Sequence, residues 1–380
     1  MSKDVSAFVH SLYKTNNFLP LHEPVFSGNE KKYVLETIDS TFVSSVGEFV
    51  DRFEKMFADY VGGKYAVATV NGTAALHVCL LMAEVVANDE VITQPLTFVA
   101  TCNAISYCGA IPVFIDVDRD SMGLSADKLA EWLAANAEIR GNECFNRRTG
   151  RRIKACVPMH TFGHPARIEK IKTVCDQYGV VVVEDAAESL GSFVGDKHTG
   201  AFSELAAFSF NGNKTITTGG GGMLVTDNEA LAKRAKHITT TAKLSHPYKY
   251  VHDEVAYNYR MPNLNAALGC AQMEQLDGFL AIKRSIAEQY KTFFESREES
   301  FVVERAGTKA NYWLNAIVVN EAKRDEFIEQ TNALGVMTRP IWGLMNRLPM
   351  FKACESGDLG NAEWLEARVV NLPSGVISPA

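Results

Sequence analysis

The chain has 380 residues, of which 47% are hydrophobic and 22% charged, and its formal net charge is −7. These proportions are typical of an ordinary globular protein, so they exclude a disordered, collagen-like or coiled-coil chain. The mildly acidic balance lacks the broad positive field that nucleic-acid binding needs, and we therefore expect no nucleic-acid partner.

The eight cysteines lie mostly in apolar runs and form no C-x-x-C pair. This usage predicts buried free thiols in a reducing compartment, with no metal site. The N-terminus shows no apolar signal core, and no stretch approaches the roughly 20 apolar residues that a membrane helix requires. The sequence therefore predicts a cytoplasmic protein that does not bind membranes.

In chain order, the sequence predicts an N-terminal arm at residues 1–30 and a helix from Asn29 to about Ile38. Short apolar runs then alternate with helical patterns up to about residue 230, which predicts an α/β fold with a mostly parallel sheet between helices. The predicted strands are Tyr65–Val70, Glu90–Thr93, Ile111–Val117, Ile153–Pro158, Val180–Glu184, Ala206–Phe210 and Gly222–Thr226. The predicted helices between them include Thr73–Val86, Ser125–Ala137 and Ile168–Tyr178.

The C-terminal part begins with one long helical pattern, Asn265–Arg297, and continues with the apolar runs Phe301–Val303 and Trp313–Val319. This order predicts a large domain at residues 31–255 and a smaller C-terminal α/β domain at residues 256–380. The arginine-rich piece Arg147–Arg152 is interpreted as a solvated turn. The alternative is a basic loop that meets a phosphate or a neighbouring subunit.

An acidic pair, Glu184-Asp185, follows the uninterrupted apolar run Val180–Val183. Such a run is typical of a strand covered on both faces, and ligands of open parallel sheets bind beyond the carboxyl ends of strands. An Asp held there can pair with a permanent cation such as the protonated ring of pyridoxal phosphate (PLP). The alternative is a simple helix N-cap.

A polar, glycine-rich turn containing Lys214 follows the next predicted strand, and Ser209 lies five residues before that lysine. A lysine that can lose its proton forms a Schiff base with a carbonyl, while a serine hydroxyl can bind a phosphate. The alternative is a flexible hairpin with a surface lysine.

Three further features follow predicted strands. The Gly72-Thr73 turn opens a helix, where backbone N–H groups favour an anion, although Thr73 is equally a plain cap. Phe98 is placed either to stack on a flat heterocycle or to be buried in the core. His160 and His164 are either structural or proton-carrying histidines.

Taken together, these motifs resemble those of the DegT/StrS-type sugar aminotransferases, which are fold-type-I PLP enzymes. The resemblance spans about residues 20 to 375. The matching pieces are Asn71–Leu76, Thr97–Thr101, Glu184–Glu188, Ser209–Gly222 and Tyr257–Met261.

The resemblance implies a three-layer fold-type-I architecture, with a mainly parallel large-domain sheet and a smaller C-terminal α/β domain. It implies that Lys214 forms the Schiff base with PLP and that Asp185 pairs with the pyridine nitrogen, as the catalytic residues. It assigns ring stacking to Phe98. It also places Glu188, where many members have Gln or His, near the cofactor oxygen or the reacting centre.

The same resemblance assigns the phosphate of PLP to Gly72, Thr73 and Ser209. Asn258 would reach that phosphate from the second subunit of a homodimer with shared active sites. It further implies that glutamate donates the amino group and that a nucleotide-linked keto sugar accepts it.

The run from Thr338 to Met350 looks most like the branch that serves legionaminic-acid and bacillosamine-type pathways. That likeness implies amination at C4 of a UDP-linked 2-acetamido-2,6-dideoxy-4-keto-hexose. The candidate substrate residues are His160, Arg339 and Trp342. For Arg339 and Trp342, the alternative is packing within the small domain. The alternatives are a GDP- or dTDP-linked keto sugar, or a non-catalytic regulatory protein on the same fold. A nicotinamide oxidoreductase is disfavoured because no G-x-G-x-x-G motif follows the first strand.

Overall fold

The computed structural model describes residues 1–377. The helices within those residues are α1 (Ser2–Tyr13), α2 (Glu30–Asp39), α3 (Glu48–Val61), α4 (Gly72–Met82), α5 (Val99–Tyr107), α6 (Ala126–Asn136), α7 (Ile168–Tyr178), α8 (Glu229–Thr239), α9 (Asn263–Met273), α10 (Leu276–Phe294), α11 (Arg324–Ala333) and α12 (Gly360–Glu366).

The strands are β1 (Tyr65–Thr69), β2 (Glu90–Thr93), β3 (Ile111–Phe114), β4 (Ala137–Arg140), β5 (Glu143–Asn146), β6 (Ile153–Val157), β7 (Val181–Asp185), β8 (Phe193–Val194), β9 (Lys197–His198), β10 (Leu205–Ser209), β11 (Gly222–Thr226), β12 (Ser300–Phe301), β13 (Thr308–Lys309), β14 (Asn315–Val318), β15 (Arg339–Pro340) and β16 (Val369–Leu372).

The main sheet has seven strands in the order β1-β11-β10-β7-β6-β2-β3. Strands β10, β7, β6, β2 and β3 run parallel to one another, and β11 is antiparallel to both of its neighbours. All seven strands predicted from the apolar runs are confirmed, with ends that differ by at most a few residues. The mainly parallel sheet is therefore also confirmed.

Helices cover both faces of this sheet, as strand β10 shows. Its residues Ala206 and Phe208 pack with α3 and α9 in one apolar cluster. The alternating residues Leu205 and Ala207 pack with α4, α5 and α8 in a second cluster on the opposite face. Because successive strand residues point to opposite faces, one apolar run can fill both layers. The result is the three-layer architecture that the resemblance implied.

The smaller C-terminal α/β unit is built around an antiparallel four-stranded sheet in the order β12-β14-β16-β15. Its core joins this sheet to α1, α10 and α11. Helix α1 was missed within the predicted arm, although the spacing of Val5, Val9 and Leu12 is helical and all three side chains are buried. Their partners lie in the distant C-terminal unit, which a local pattern does not identify.

The long helix predicted at Asn265–Arg297 is two helices, α9 and α10. Helix α9 packs with α3 in the core of the main sheet, while the second half of α10 packs in the C-terminal core through Ile286 and Tyr290. The boundary at residues 255–256 remains a prediction, but this packing favours a change of unit within α10.

The arginine-rich piece forms a turn after the hairpin β4–β5, and its side chains pair with carboxylates of the same chain. Arg148 lies 2.9 Å from Glu355, and Arg152 lies 2.8 Å from Asp89. These ion pairs support the interpretation as a turn over that of a phosphate-binding loop.

All eight cysteines are free, and six of them are buried. Among residues 1–377, no helix combines the length and the apolar character needed to cross a bilayer.

The core between α3 and the main sheet is the first target for a stability test. Phe57 is fully buried and contacts Phe208 and Phe210, the two neighbours of Ser209, at ring-centroid distances of 4.9 and 5.2 Å. We expect Phe57→Ala to lower the free energy of unfolding by about 3–5 kcal/mol, because it removes a large side chain and leaves a cavity.

The measurement is chemical denaturation at constant protein concentration. The matched control is Phe18→Ala, since Phe18 is 55% exposed and its loss should cost less than about 0.5 kcal/mol. Equal losses for the two variants would contradict the assignment of Phe57 to the core.

Candidate active site

A cavity of about 310 Å³ opens at the carboxyl ends of β1, β7 and β10. This is the edge of a parallel sheet where ligands are expected. The predicted site residues that the cavity brings together are Gly72, Thr73, Phe98, Asp185, Glu188, Ser209, Lys214 and Trp342.

One end of the cavity is an anion cradle formed by the first turn of α4 and by Ser209. The Asn71 side chain caps α4 by accepting a hydrogen bond from the Ala74 N–H at 2.8 Å. A Cβ on Gly72 would lie 2.6 Å from the Ser209 Cβ, so only glycine permits this approach. The helix N-terminus and the Ser209 hydroxyl together fit a phosphate group.

Asp185, the last residue of β7, also lines the cavity and is 5% exposed. Its Oδ2 accepts a hydrogen bond from Thr101 Oγ1 at 2.8 Å, and its Oδ1 accepts one from the Ala187 N–H at 3.2 Å. Burial raises the pKa of Asp185, and the contacts with Thr101, Ala187 and Lys214 only partly oppose it. A buried carboxyl of this kind is suited to a cationic partner, and the protonated ring nitrogen of PLP fits that requirement.

Glu184 points to the other face of β7 and has a structural role. It accepts hydrogen bonds from backbone N–H groups of the loop at residues 200–203 and from His160 Nε2 at 3.0 Å. Burial alone would raise the pKa of Glu184, but these hydrogen bonds, led by His160, outweigh burial and lower it. The loop is therefore anchored to the end of β7 by a buried carboxylate.

His160, a candidate substrate residue of the sequence analysis, does not line this cavity. The side chain is fully buried. Its Nε2 contacts Glu184, and its Nδ1 accepts a hydrogen bond from the Ala166 N–H at 3.1 Å. With both ring nitrogens engaged inside the protein, His160 orders the end of β7 and has no free polar atom to offer a substrate.

Lys214 lies in the cavity beside Glu188, with 3.1 Å between Nζ and Oε1. The other oxygen of Glu188 accepts a hydrogen bond from the Phe162 N–H at 2.9 Å. Burial raises the pKa of Glu188 to about 7, although Lys214 and Phe162 oppose the shift. The lysine thus has an adjacent group that changes charge near neutral pH.

The mouth of the cavity is aromatic. Phe98 is half exposed, as a residue that stacks on a ligand ring must be, and its ring centroid lies 6.4 Å from that of Trp342. Trp342 also packs on Phe162 at 4.9 Å. Arg339 lies exposed on β15 and does not line this cavity, whereas Trp342 does.

Asn258 is exposed between α8 and α9 and does not line the cavity of its own chain. The lining residues that the sequence analysis did not single out include Thr101 and Trp313. Thr101 stood in the quoted motif after β2, where its position one helical turn beyond Phe98 could have indicated it. Trp313 carried no signal beyond an apolar run.

The raised pKa of Glu188 gives a test of the geometry by stability. A carboxyl with a raised pKa binds its proton more tightly in the folded protein, so its contribution to stability falls between the unfolded value of 4.5 and the folded value of about 7. In the cofactor-free protein, Glu188→Gln should therefore gain about 3 kcal/mol relative to wild type across this window, at roughly 1.4 kcal/mol per pH unit.

The measurement is the free energy of unfolding by denaturant at several pH values. Glu184→Gln is the matched control, because the pKa of Glu184 is lowered and its contribution is lost only below the unfolded value. Its difference from wild type should stay flat over the same window. A flat difference for Glu188→Gln would show that this carboxyl is not desolvated.

Comparison with known proteins agrees with this site. The sequence profile of the DegT/DnrJ/EryC1/StrS aminotransferase family matches residues 25–377. GDP-perosamine synthase of Escherichia coli O157:H7 is 36% identical over 365 residues, which cover 94% of this chain and 93% of that protein. GDP-perosamine synthase of Vibrio cholerae is 34% identical over 360 residues, 94% of each chain.

Among solved structures, the aminotransferase TlmJ from Streptoalloteichus hindustanus has the same fold, with a TM-score of 0.86, 24% identity, and coverage of 96% of this chain and 95% of that one. The family profile, the two relatives and the cavity around Lys214 lead to one conclusion: this chain belongs to the DegT/DnrJ/EryC1/StrS family and is a PLP-dependent sugar aminotransferase.

Proposed function

We propose that this enzyme transfers an amino group from glutamate to a GDP-linked keto sugar, at C4. Two relatives that cover more than nine-tenths of the chain are named GDP-perosamine synthases. They support the GDP alternative over the predicted UDP-linked 2-acetamido-2,6-dideoxy-4-keto-hexose. The more specific resemblance to the legionaminic-acid and bacillosamine branch is likewise not supported by them.

The observation that carries the amino-transfer part of the proposal is the convergence of Lys214, Asp185 and the anion cradle in one cavity. When bound, PLP supplies an electron sink for the carbanion at Cα of the amino donor. Gly72, Thr73 and Ser209 would hold its phosphate, and Asp185 would keep its ring nitrogen protonated.

Lys214 would hold the cofactor covalently and, once released, would act as the base that moves the Cα proton through Nζ. Glu188 would hold the lysine amine in place between these two tasks. A base, a buried carboxylate and an anion cradle in one cavity suit amino transfer, and they argue against the non-catalytic alternative.

The acceptor sugar would enter past the aromatic mouth. Phe98 would offer its exposed face to the cofactor ring, and the Trp342 ring lies beside that of Phe98. An indole presents a flat apolar surface to a sugar or base while its N–H can donate a hydrogen bond. We infer that Trp342 contacts the nucleotide sugar.

We also propose that the enzyme is a homodimer with shared sites. Three apolar side chains in the segment between α8 and α9 are largely exposed to solvent: 81% of Tyr248, 84% of Tyr250 and 91% of Val255. Clustered exposed apolar side chains are typical of a surface that another protein covers. Asn258 follows them directly, so a partner on this segment would receive Asn258 near its own cavity.

The covalent role of Lys214 is tested by absorbance. The purified protein should show a visible band after addition of PLP, and glutamate should bleach it as the amino group is transferred. Lys214→Ala should lack the lysine-linked band and should not turn over, because no other lysine lines the cavity formed by the described residues.

The control is Lys197→Ala, since Lys197 is exposed and lies away from the cavity. A visible band that persists in Lys214→Ala, and still responds to glutamate, would contradict the assignment.

The nucleotide is tested by running the reaction in reverse, with 2-oxoglutarate and a panel of 4-amino-6-deoxy sugars linked to GDP, UDP or dTDP. We expect the highest kcat/KM for the GDP-linked sugar. Trp342→Leu should raise KM for the sugar about tenfold, through lost aromatic contact, with little change in the bleaching by glutamate.

A higher kcat/KM for a UDP-linked 2-acetamido sugar would overturn the GDP proposal and restore the substrate predicted from the sequence. That outcome would leave the enzyme class unchanged, because the glutamate half-reaction does not involve the nucleotide.

A further inference from the structure

The amine of Lys214 has two neighbours rather than one. Its Nζ lies 3.1 Å from Glu188 Oε1 and 3.9 Å from the ring centroid of Trp313. A cation above the face of an indole is attracted by the negative charge of the ring face, and the attraction grows when water is excluded. Lys214 itself is largely shielded, with 13% of its side chain exposed.

The indole ring is held in place from several sides. Trp313 is 4% exposed, its Nε1–H donates to the carbonyl of Asn213 at 2.7 Å, and its backbone N–H donates to Asn311 Oδ1 at 2.8 Å. Asn213 directly precedes Lys214, so the ring is tied to the very turn that presents the lysine. The face of the indole is therefore fixed relative to the amine.

Asn311 joins the two neighbours of the amine to each other. Its Oδ1 accepts a hydrogen bond from the Trp313 backbone N–H, and its Nδ2 donates one to the backbone carbonyl of Glu188 at 2.8 Å. A buried amide that binds both backbones fixes the spacing between the indole face and the carboxylate. No other residue of the described chain lies over the amine as a cation–π partner.

We propose that Trp313 is a positioning residue of the transamination reaction: with Glu188 it forms an amine seat that would hold Lys214 Nζ whenever the lysine is detached from the cofactor. The seat keeps Nζ beside the reacting centre and restricts its rotamers. Nζ would take up the Cα proton as a neutral amine, and the indole face and Glu188 would stabilise the resulting ammonium until that proton is passed on. The inference concerns the half-reaction with glutamate and does not depend on which sugar is the acceptor.

Two other titratable groups are affected by the charge of Lys214. The pKa of Asp185 is raised chiefly by burial and is lowered in part by Lys214. The pKa of His22 is lowered by burial first, then by Lys283 and Lys214, so His22 is neutral near pH 7. The negative neighbours of the amine are thus Glu188 and Asp185, and among the described residues Trp313 is the one aromatic ring that lies over it.

The first test uses the cofactor-free protein. Lys214 is acetylated with acetic anhydride over a range of pH, and the modified peptide is quantified by mass spectrometry. Because the seat stabilises the ammonium, Trp313→Leu should shift the midpoint of the labelling curve to lower pH by about 0.5–1.5 units, whereas Trp313→Phe should shift it less.

Trp342→Leu is the matched control, since it removes an indole from the same cavity that does not face the amine. It should leave the midpoint unchanged. A change in accessibility alone would alter the plateau rates of labelling and not the midpoint.

The second test follows the half-reaction of the PLP-loaded enzyme with glutamate by stopped-flow absorbance. Trp313→Leu should slow bleaching about 3- to 30-fold, with Trp313→Phe largely rescuing it and the half-saturating glutamate concentration nearly constant. Fluorinated tryptophan, incorporated throughout the chain, keeps the shape of the ring but reduces the negative charge of its face. It should therefore lower the labelling midpoint and slow the bleaching, as Trp313→Leu does.

Identical labelling midpoints and bleaching rates for wild type, Trp313→Leu and the fluorinated protein would overturn the proposal. Should Trp313→Leu fail to fold, the fluorinated protein decides alone, because the side-chain volume is nearly unchanged.

Discussion

The alternation of side chains at the end of strand β7 is the constraint on which the site depends. Glu184 and Asp185 are adjacent, so they point to opposite faces of the sheet. Glu184 has a structural role: its carboxylate accepts hydrogen bonds from the loop at residues 200–203 and from His160. Asp185 faces the cavity with only two hydrogen bonds. A shift of one residue in the register of β7 would exchange these roles and leave a buried carboxylate without partners.

The same logic of opposite faces positions the anion cradle. Phe208 and Phe210 pack into the core beneath α3, which leaves Ser209 between them pointing to the other side, toward α4. Gly72 then lets α4 approach Ser209 closely. The hydroxyl and the helix N-terminus meet because an apolar core on the far face fixes the strand. The anion cradle on one face of the sheet thus depends on the packing of Phe208 and Phe210 on the other face.

Much of this arrangement could be predicted from the sequence, since it is encoded in local patterns. Continuous apolar runs identified all seven strands, and polar residues just after them identified Lys214, Asp185 and Ser209. His160 stands in the same kind of position, yet it turns away from the cavity to bind Glu184. The sequence pattern shows that a residue follows the end of a strand, but it does not show to which face of the sheet the side chain points.

Contacts between distant parts of the chain escaped prediction for a related reason. Trp313 reaches the cavity only because Asn311 and the turn before Lys214 hold it there. Helix α1 is stabilised by the C-terminal unit, and the long pattern after Asn265 divides where its buried face changes from one core to the other. Such features depend on partners that lie far apart in sequence, so a local reading cannot identify them.

The charges of the cavity show why its residues suit PLP. Asp185 and Glu188 are two buried carboxyls, and Lys214 is one cation between them. With a single positive charge, the low-dielectric cavity favours keeping one proton on the pair of carboxyls, which agrees with a pKa of about 7 for Glu188. A protonated ring nitrogen beside Asp185 would add the missing positive charge, and the dianionic phosphate would lie at the far end, on the α4 dipole. The ring nitrogen would therefore supply the positive charge that the two carboxyls lack, while the phosphate charge would be met by the N–H groups of the first turn of α4.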